Sequence, residues 1–270
     1  MNTNEHTIPR IPRDFFTKPI GALIKTTLVD FPGRVAASLF LKGCNLRCPY
    51  CYNWELIDTT LGSGAQAAES GSSADTGVGL STLEEVIAHL EKRRNVLTGF
   101  VISGGEPLLF PYLAELISHA KGLGYRIKLD TNGTLPDRLQ TIVENPDTRP
   151  DFIAMDIKTA PNRYDLVTMH PRTPESNGLV EKLTESVRLI STFPADAREW
   201  RTVLVPPLVG KDDIAEMACI LPKDASWQFA QFRNENCLAP AYNEIAPYTD
   251  AEAAELVAYA QSLISGAQLR

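Results

Sequence analysis

The chain has 270 residues, enough for one large domain or two small ones, and 44% of them are hydrophobic, which is ordinary for a protein with a filled core. Its net charge of −7 lacks the basic excess of a nucleic-acid binder. Five cysteines, three of them clustered, do not make a disulfide framework, and no apolar run approaches the length of a membrane span or a signal peptide. Clustered thiols stay reduced only in a reducing compartment, so a cytoplasmic protein is expected, with neither nucleic acid nor membrane as partner.

In chain order, residues 1–18 are polar with Pro9 and Pro12 and read as a flexible tail, leaving 19–270 as a single domain. Residues 35–41 (VAASLFL) predict a first strand, followed directly by a cysteine loop. The Gly-, Ala- and Ser-rich stretch within 58–80 predicts an inserted flexible loop, since it has too little apolar surface to offset its ordering entropy. Ser81 and Glu84 fit a capping box ahead of a helix carrying Leu83, Val86, Ile87 and Leu90 on one face.

Beyond it, strands are expected at 99–103, 125–130, 152–157, 199–205 and 227–232. Helices are expected at 112–121, 135–144, 176–192, about 212–220 and 250–265. Six strands alternating with helices predict an α/β protein with a parallel sheet. Polar residues gather just after four consecutive strands, which favours an open or partial (β/α)6 barrel over a doubly wound sheet.

The first polar segment is KGCNLRCPYCYN, with Cys44, Cys48 and Cys51 spaced C-x3-C-x2-C. Thiolates this close hold a soft metal or an iron–sulfur cluster, and three ligands on a four-iron cluster leave one iron open. The bland alternative is a structural zinc site, which needs four ligands. His6, His89, His119 and His170 all lie far along the chain, so Cys219 or Cys237 would have to complete it. Tyr50 either packs or offers a face for a flat heterocycle.

The second segment is Ser103-Gly104-Gly105-Glu106-Pro107. Two glycines after a strand permit close backbone approach and leave N–H groups for a small polar ligand, the alternative being a tight turn capped by Glu106. The third is Asp130-Thr131-Asn132-Gly133 and the fourth Asp156-Ile157-Lys158. Buried acids need partners. Asp130 and Asp156 therefore bond Lys158, Thr131 or backbone, or hold a monovalent cation between them, or fix the ammonium or hydroxyls of a ligand. Arg201 lies in an apolar strand and is expected to pair with Asp156 or Glu106. Cys219 reads as core and Cys237 as a loop cysteine with no evident partner.

These segments resemble the radical S-adenosylmethionine (SAM) superfamily, and within it the activating enzymes of glycyl radical enzymes. From about Ile20 to Arg233 the chain is similar to the activating proteins of anaerobic ribonucleoside-triphosphate reductase, notably in IGALIKTTLVDFPGRVAASLFLKGCNLRCPYCYN, FVISGGEPLL, KLDTNGT, FIAMDIK and WRTVLVPPLV. The resemblance implies a partial (β/α)6 barrel and a 4Fe–4S cluster on Cys44, Cys48 and Cys51, with SAM chelating the open iron. By the same resemblance Tyr50 contacts adenine, and Cys51 and Tyr52 supply backbone nearby. Gly104, Gly105 and Glu106 meet the methionine amine, with Ser103 just before them. Asp130, followed by Thr131 and Asn132, lies on the methionine side, Asp156 and Lys158 lie at ribose and carboxylate, and Arg201 faces the same pocket.

The activity implied is reductive cleavage of SAM to a 5′-deoxyadenosyl radical that takes hydrogen from a glycine of a partner enzyme, with a flavodoxin or ferredoxin-type protein as reductant. Two alternatives stand beside it: a radical enzyme acting on a small molecule or another peptide, and a non-catalytic iron–sulfur electron-transfer or metal-binding protein. The chain departs from its relatives in having Tyr52 where histidine is common. It also has a long 58–80 insertion, and it lacks a histidine after the sixth strand, where Gln231 or Arg233 stands in.

Overall fold

The computed structural model describes residues 8, 10–57, 79–168 and 178–270. The described elements run α1 (Arg13–Phe16), β1 (Pro19–Thr27), β2 (Ala36–Leu41), β3 (Leu80–Thr82), α2 (Leu83–Arg93), β4 (Gly99–Gly104), α3 (Leu113–Gly122) and β5 (Arg126–Thr131). There follow α4 (Pro136–Glu144), β6 (Phe152–Asp156), α5 (Leu179–Ile190), β7 (Arg198–Leu204), α6 (Lys211–Ile220), β8 (Trp227–Gln231), α7 (Asp250–Leu263) and β9 (Ala267–Leu269). Backbone hydrogen bonds order the strands β3-β1-β2-β4-β5-β6-β7-β8-β9. The six expected strands are β2, β4, β5, β6, β7 and β8, and the fold is α/β with a mostly parallel sheet, as the alternation predicts.

The chain divides into two compact units. The first comprises Met1–Cys44 and Glu55–Lys128. Here β2 runs parallel to β4, from Ala36 opposite Gly99 to Leu41 opposite Gly104. β1, which the sequence reading did not anticipate, lies antiparallel to β2 and to the short β3. Leu39, Leu41, Val101 and Ile102 are buried along the strands, and α2 buries Leu83, Val86, Ile87 and Leu90, the four expected. The capping box is shifted by one residue: Thr82, extended at φ −78°, accepts from Glu85 N while the Glu85 carboxylate accepts from Thr82 N.

Two further expectations change in this unit. The tail ends earlier than predicted: α1 forms at Arg13–Phe16, Ile8, Ile11 and Phe16 are buried, and the Phe15 ring lies 4.7 Å from that of Tyr112. Apolar residues spaced through a polar segment anchor it. The insertion expected at 58–80 lies outside the described residues except for Gly79 and Leu80, and Leu80 already belongs to β3.

The second unit comprises Asn45–Trp54 and Leu129–Arg270. β6, β7, β8 and β9 are parallel neighbours. Trp200 stands opposite Trp227, both fully buried, and Trp227 Nε1 donates to Thr202 Oγ1 at 2.9 Å. That bond satisfies an indole donor that burial would otherwise strand. α5 begins at Leu179; Ser176 and Asn177 of the expected helix lie outside the described residues. Cys219 is exposed on α6 rather than in the core, its thiol directed at Ala215 O. No helix among the described residues is long and apolar enough to cross a membrane.

Candidate active site

In the first unit, β2 ends at Leu41 and β4 ends at Gly104, and the turn after each strand is built on the other. Gly105 N donates to Leu41 O at 2.9 Å and Glu106 N donates to Gly43 O at 2.8 Å. Gly104 has φ +119°, and a Cβ there would lie 2.2 Å from Leu41 N. A Cβ on Gly105 would lie 2.0 Å from Gly43 O and 3.2 Å from Cys44 Cβ. Both glycines are therefore dictated by close approach of the chain itself, Gly104 to the end of β2 and Gly105 to the start of the cysteine loop. The Gly105 N–H is spent on the end of β2 and the Glu106 N–H on the start of the cysteine loop. Ser103 sits opposite Phe40 in the parallel ladder, and Glu106, fully buried, caps a 3-10 turn through Leu108 N at 3.1 Å.

In the second unit, the rest of the cysteine loop is fastened by polar contacts from several elements. Asn45 Nδ2 donates to Thr134 Oγ1 at 2.7 Å, and Asn132 Nδ2 donates to Asn45 Oδ1 at 2.9 Å. Asn132 Oδ1 in turn accepts from Thr134 N, and Thr131 Oγ1 accepts from Gly133 N. The Asp-Thr-Asn-Gly turn at the end of β5 thus braces the cysteine loop through Asn132, while buried Thr131 closes the turn itself. Farther along, Arg47 N donates to Val167 O, and Cys51 N donates to Cys48 O in a tight turn.

Cys44, Cys48 and Cys51 are all free thiols, Cys48 buried and the other two partly exposed. Burial pushes the Cys51 thiol up, against the opposing pull of Asn53 N–H, Lys158 and Arg47. Tyr50 is buried, 5% exposed, rather than standing open on the loop. Burial holds its phenol protonated well beyond the usual range despite the nearby Lys158 ammonium. Among the described residues, no three His, Cys, Asp or Glu side chains gather tightly enough for a single metal ion.

Asp130 and Asp156 lie at the ends of β5 and β6, Arg201 lies in the middle of β7 beside Asp156, and the charges form one row. Arg201 Nη1 lies 3.0 Å from Asp130 Oδ2, Arg201 Nε lies 2.7 Å from Asp156 Oδ1, and Lys158 Nζ lies 3.1 Å from Asp156 Oδ2. Burial raises the Asp156 carboxyl, but Arg201 and then Lys158 outweigh it and hold the group below the ordinary carboxylate range. Burial likewise lowers Lys158, and Asp156 more than reverses it, so the ammonium stays charged. The Lys158 backbone is fixed by its N–H to Tyr164 Oη at 3.0 Å.

Two expectations are resolved by this row. Arg201 pairs with Asp156 as predicted, but its second partner is Asp130 and not Glu106. The guanidinium bridges the two carboxylates, between which a monovalent cation was one of the alternatives. No local motif announces Asn45, Thr134 or Tyr164: Asn45 reaches Thr134 and Asn132, 89 and 87 residues away, and Tyr164 meets the backbone of Lys158, 6 residues away.

The donor set of the cysteine loop suits iron and sulfide: three soft thiols on a loop whose backbone is already held by its neighbours. The family model described as the Radical SAM superfamily matches residues 38–192, more than half of the chain. A protein of Methanocaldococcus jannaschii, provisionally named a glycyl-radical enzyme activating enzyme, is 24% identical over 254 residues, covering 93% of this chain and 95% of that one. A 7-carboxy-7-deazaguanine synthase of Methanopyrus kandleri is 32% identical over 132 residues, covering 47% of this chain and about half, 51%, of the synthase.

Among solved structures, TYW1 with a lysine-pyruvate adduct bound aligns over 85% of this chain and 74% of its own at TM-score 0.55 and 14% identity, a likeness of fold. The match over residues 38–192 takes in the cysteine loop, the double-glycine turn and three members of the charge row, Asp130, Asp156 and Lys158, and it establishes that the chain belongs to the radical SAM superfamily, whose members use a 4Fe–4S cluster and SAM.

Proposed function

We propose that this chain is an activating enzyme for a glycyl radical enzyme, with Cys44, Cys48 and Cys51 as the cluster ligands. The observation that carries this reading is the end-to-end match to the Methanocaldococcus jannaschii activating-enzyme relative, 93% of this chain against 95% of that one. A cluster held by Cys44, Cys48 and Cys51 would supply the one electron needed for reductive cleavage of SAM, the chemistry by which hydrogen would be taken from a partner's glycine. The electron comes from a flavodoxin or ferredoxin-type protein. The partner is proposed to be the anaerobic ribonucleotide reductase, on the strength of the sequence segments quoted above.

The chain's own residues bind and orient. The row Asp130–Arg201–Asp156–Lys158 is a string of alternating charges across β5, β6 and β7, suited to a zwitterionic ligand. An incoming ammonium can take a carboxylate, and an incoming carboxylate a cation, by exchange of partners. Tyr50 and the backbone at Cys51 and Tyr52 are assigned to the adenine, and the Gly104–Glu106 turn holds the cysteine loop in place. No residue is assigned as a general base, because a hydrogen-atom transfer needs none.

The test is a glycyl-radical assay. Anaerobically reconstituted protein, reductant, SAM and the reductase should give a protein-backed radical doublet by electron paramagnetic resonance (EPR). SAM cleavage to 5′-deoxyadenosine without that doublet would remove the partner assignment. The half-length match to a 7-carboxy-7-deazaguanine synthase favours a small-molecule substrate as the second reading. In that case cleavage would be stimulated by a small heterocyclic substrate and not by the reductase.

A further inference from the structure

β8 ends at Gln231, and the segment that follows turns back onto the cysteine loop. Four hydrogen bonds fasten it there. Arg233 N donates to Tyr52 Oη at 2.7 Å, Leu238 N to Cys51 O at 3.1 Å, Ala239 N to Pro49 O at 2.9 Å, and Trp54 Nε1 to Asn236 Oδ1 at 3.2 Å. The segment is also braced from behind, since Asn243 Oδ1 accepts from Cys237 N at 2.9 Å and Asn234 Nδ2 donates to Asn243 O at 3.1 Å. Asn236 adopts φ +52°, a left-handed conformation unusual outside glycine, and its side chain is the acceptor for Trp54. Cys237 is buried, and burial foremost, with Cys51 adding to it, raises its thiol.

These contacts flank Cys51 on both sides. Its own carbonyl is held by Leu238, and the next side chain, Tyr52, is held by Arg233. We infer that residues 233–239 are a latch for the cysteine loop and that Tyr52 is its positioning residue. Tyr52 fixes the backbone from which the Cys51 thiol is presented. Hydrogen bonds around a ligand loop set the orientation of the sulfur and how readily the metal leaves, and losing one typically costs about 10- to 100-fold in metal affinity. The inference rests on Cys51 being a cluster ligand, as proposed above.

The experiment follows iron instead of turnover. Full-length wild type, Tyr52→Phe, Trp54→Phe and a control, Tyr259→Phe, are reconstituted anaerobically with iron and sulfide. The rate of iron release to a chelator and the EPR spectrum of the reduced cluster are then recorded. Tyr52→Phe should release iron about tenfold faster, with a shifted spectrum, and Trp54→Phe should change both in the same direction by less. The control should match wild type. Wild-type release rates and spectra in both latch variants would overturn the latch while leaving the cluster assignment intact. If Tyr52→Phe does not fold, the Trp54→Phe comparison decides alone. A wild-type chain that takes up no four-iron cluster would instead overturn the proposed function, and the latch with it.

Discussion

Arg201 Nε lies 2.7 Å from Asp156 Oδ1, and the same guanidinium reaches Asp130, so one side chain neutralises the acids at the ends of two neighbouring strands in sequence order. Asp130 has only 10% of its side chain exposed and cannot turn to water for compensation. Arg201→Met should therefore destabilise the protein by about 3 kcal/mol, because a buried carboxylate left without its partner costs more than the pair contributes. Arg201→Lys keeps the charge but not the two-armed geometry and should fall between. Urea denaturation reads the loss, and a Met variant as stable as wild type would refute the account.

The depressed Asp156 carboxyl gives stability a sign with pH. Its folded-state value lies below the unfolded one, so its contribution is full above the unfolded value of about 3.9 and is lost as pH falls toward the folded value. Wild type should lose stability on acidification below about pH 4 more steeply than Asp156→Asn, which no longer has that proton to take up. Parallel slopes for the two proteins in denaturant midpoint against pH would contradict this.

Gly105→Ala places a methyl group 2.0 Å from Gly43 O, a backbone atom with no rotamer to escape by. The cysteine loop must shift to admit it. A loss of about 2 kcal/mol or more in thermal unfolding is expected, together with lower iron content after reconstitution. Gly122→Ala, where nothing lies within 4 Å of the added carbon, is the matched control and should be neutral or slightly stabilising.

Cys48→Ala should abolish the absorbance of a reconstituted four-iron cluster and the cleavage of SAM together. Cys219→Ala, on an exposed helix face, should leave both unchanged. Retained cleavage in the Cys48 variant would sink the assignment of the ligands.

The parallel framework was legible because each β/α repeat carries its own apolar period and its own breaker. β1 was not. Its exposure alternates only in part and it starts at a proline, so its antiparallel place beside β2 depends on tertiary pairing. The shifted cap of α2 shows a finer limit. The run STLEE offers both Ser81 with Glu84 and Thr82 with Glu85, and only the backbone angle at Thr82 selects between them. In the site, charge and spacing announced the three thiols, the acids and Arg201. The contacts that hold the loop were hidden, because Asn132 and Arg233, named for other roles, lie 87 and 181 residues from the side chains they grip.

That separation has a consequence for the order of events during synthesis. The cysteine loop emerges early, but the bonds that seat it are complete only when Ala239 has been made, near the end of the chain. A nascent polypeptide carries three thiols on a loop that lacks part of its anchoring until Ala239 is made. On the proposed ligand assignment, insertion of iron and sulfide into a fully seated loop would be a late step, following formation of the C-terminal strands.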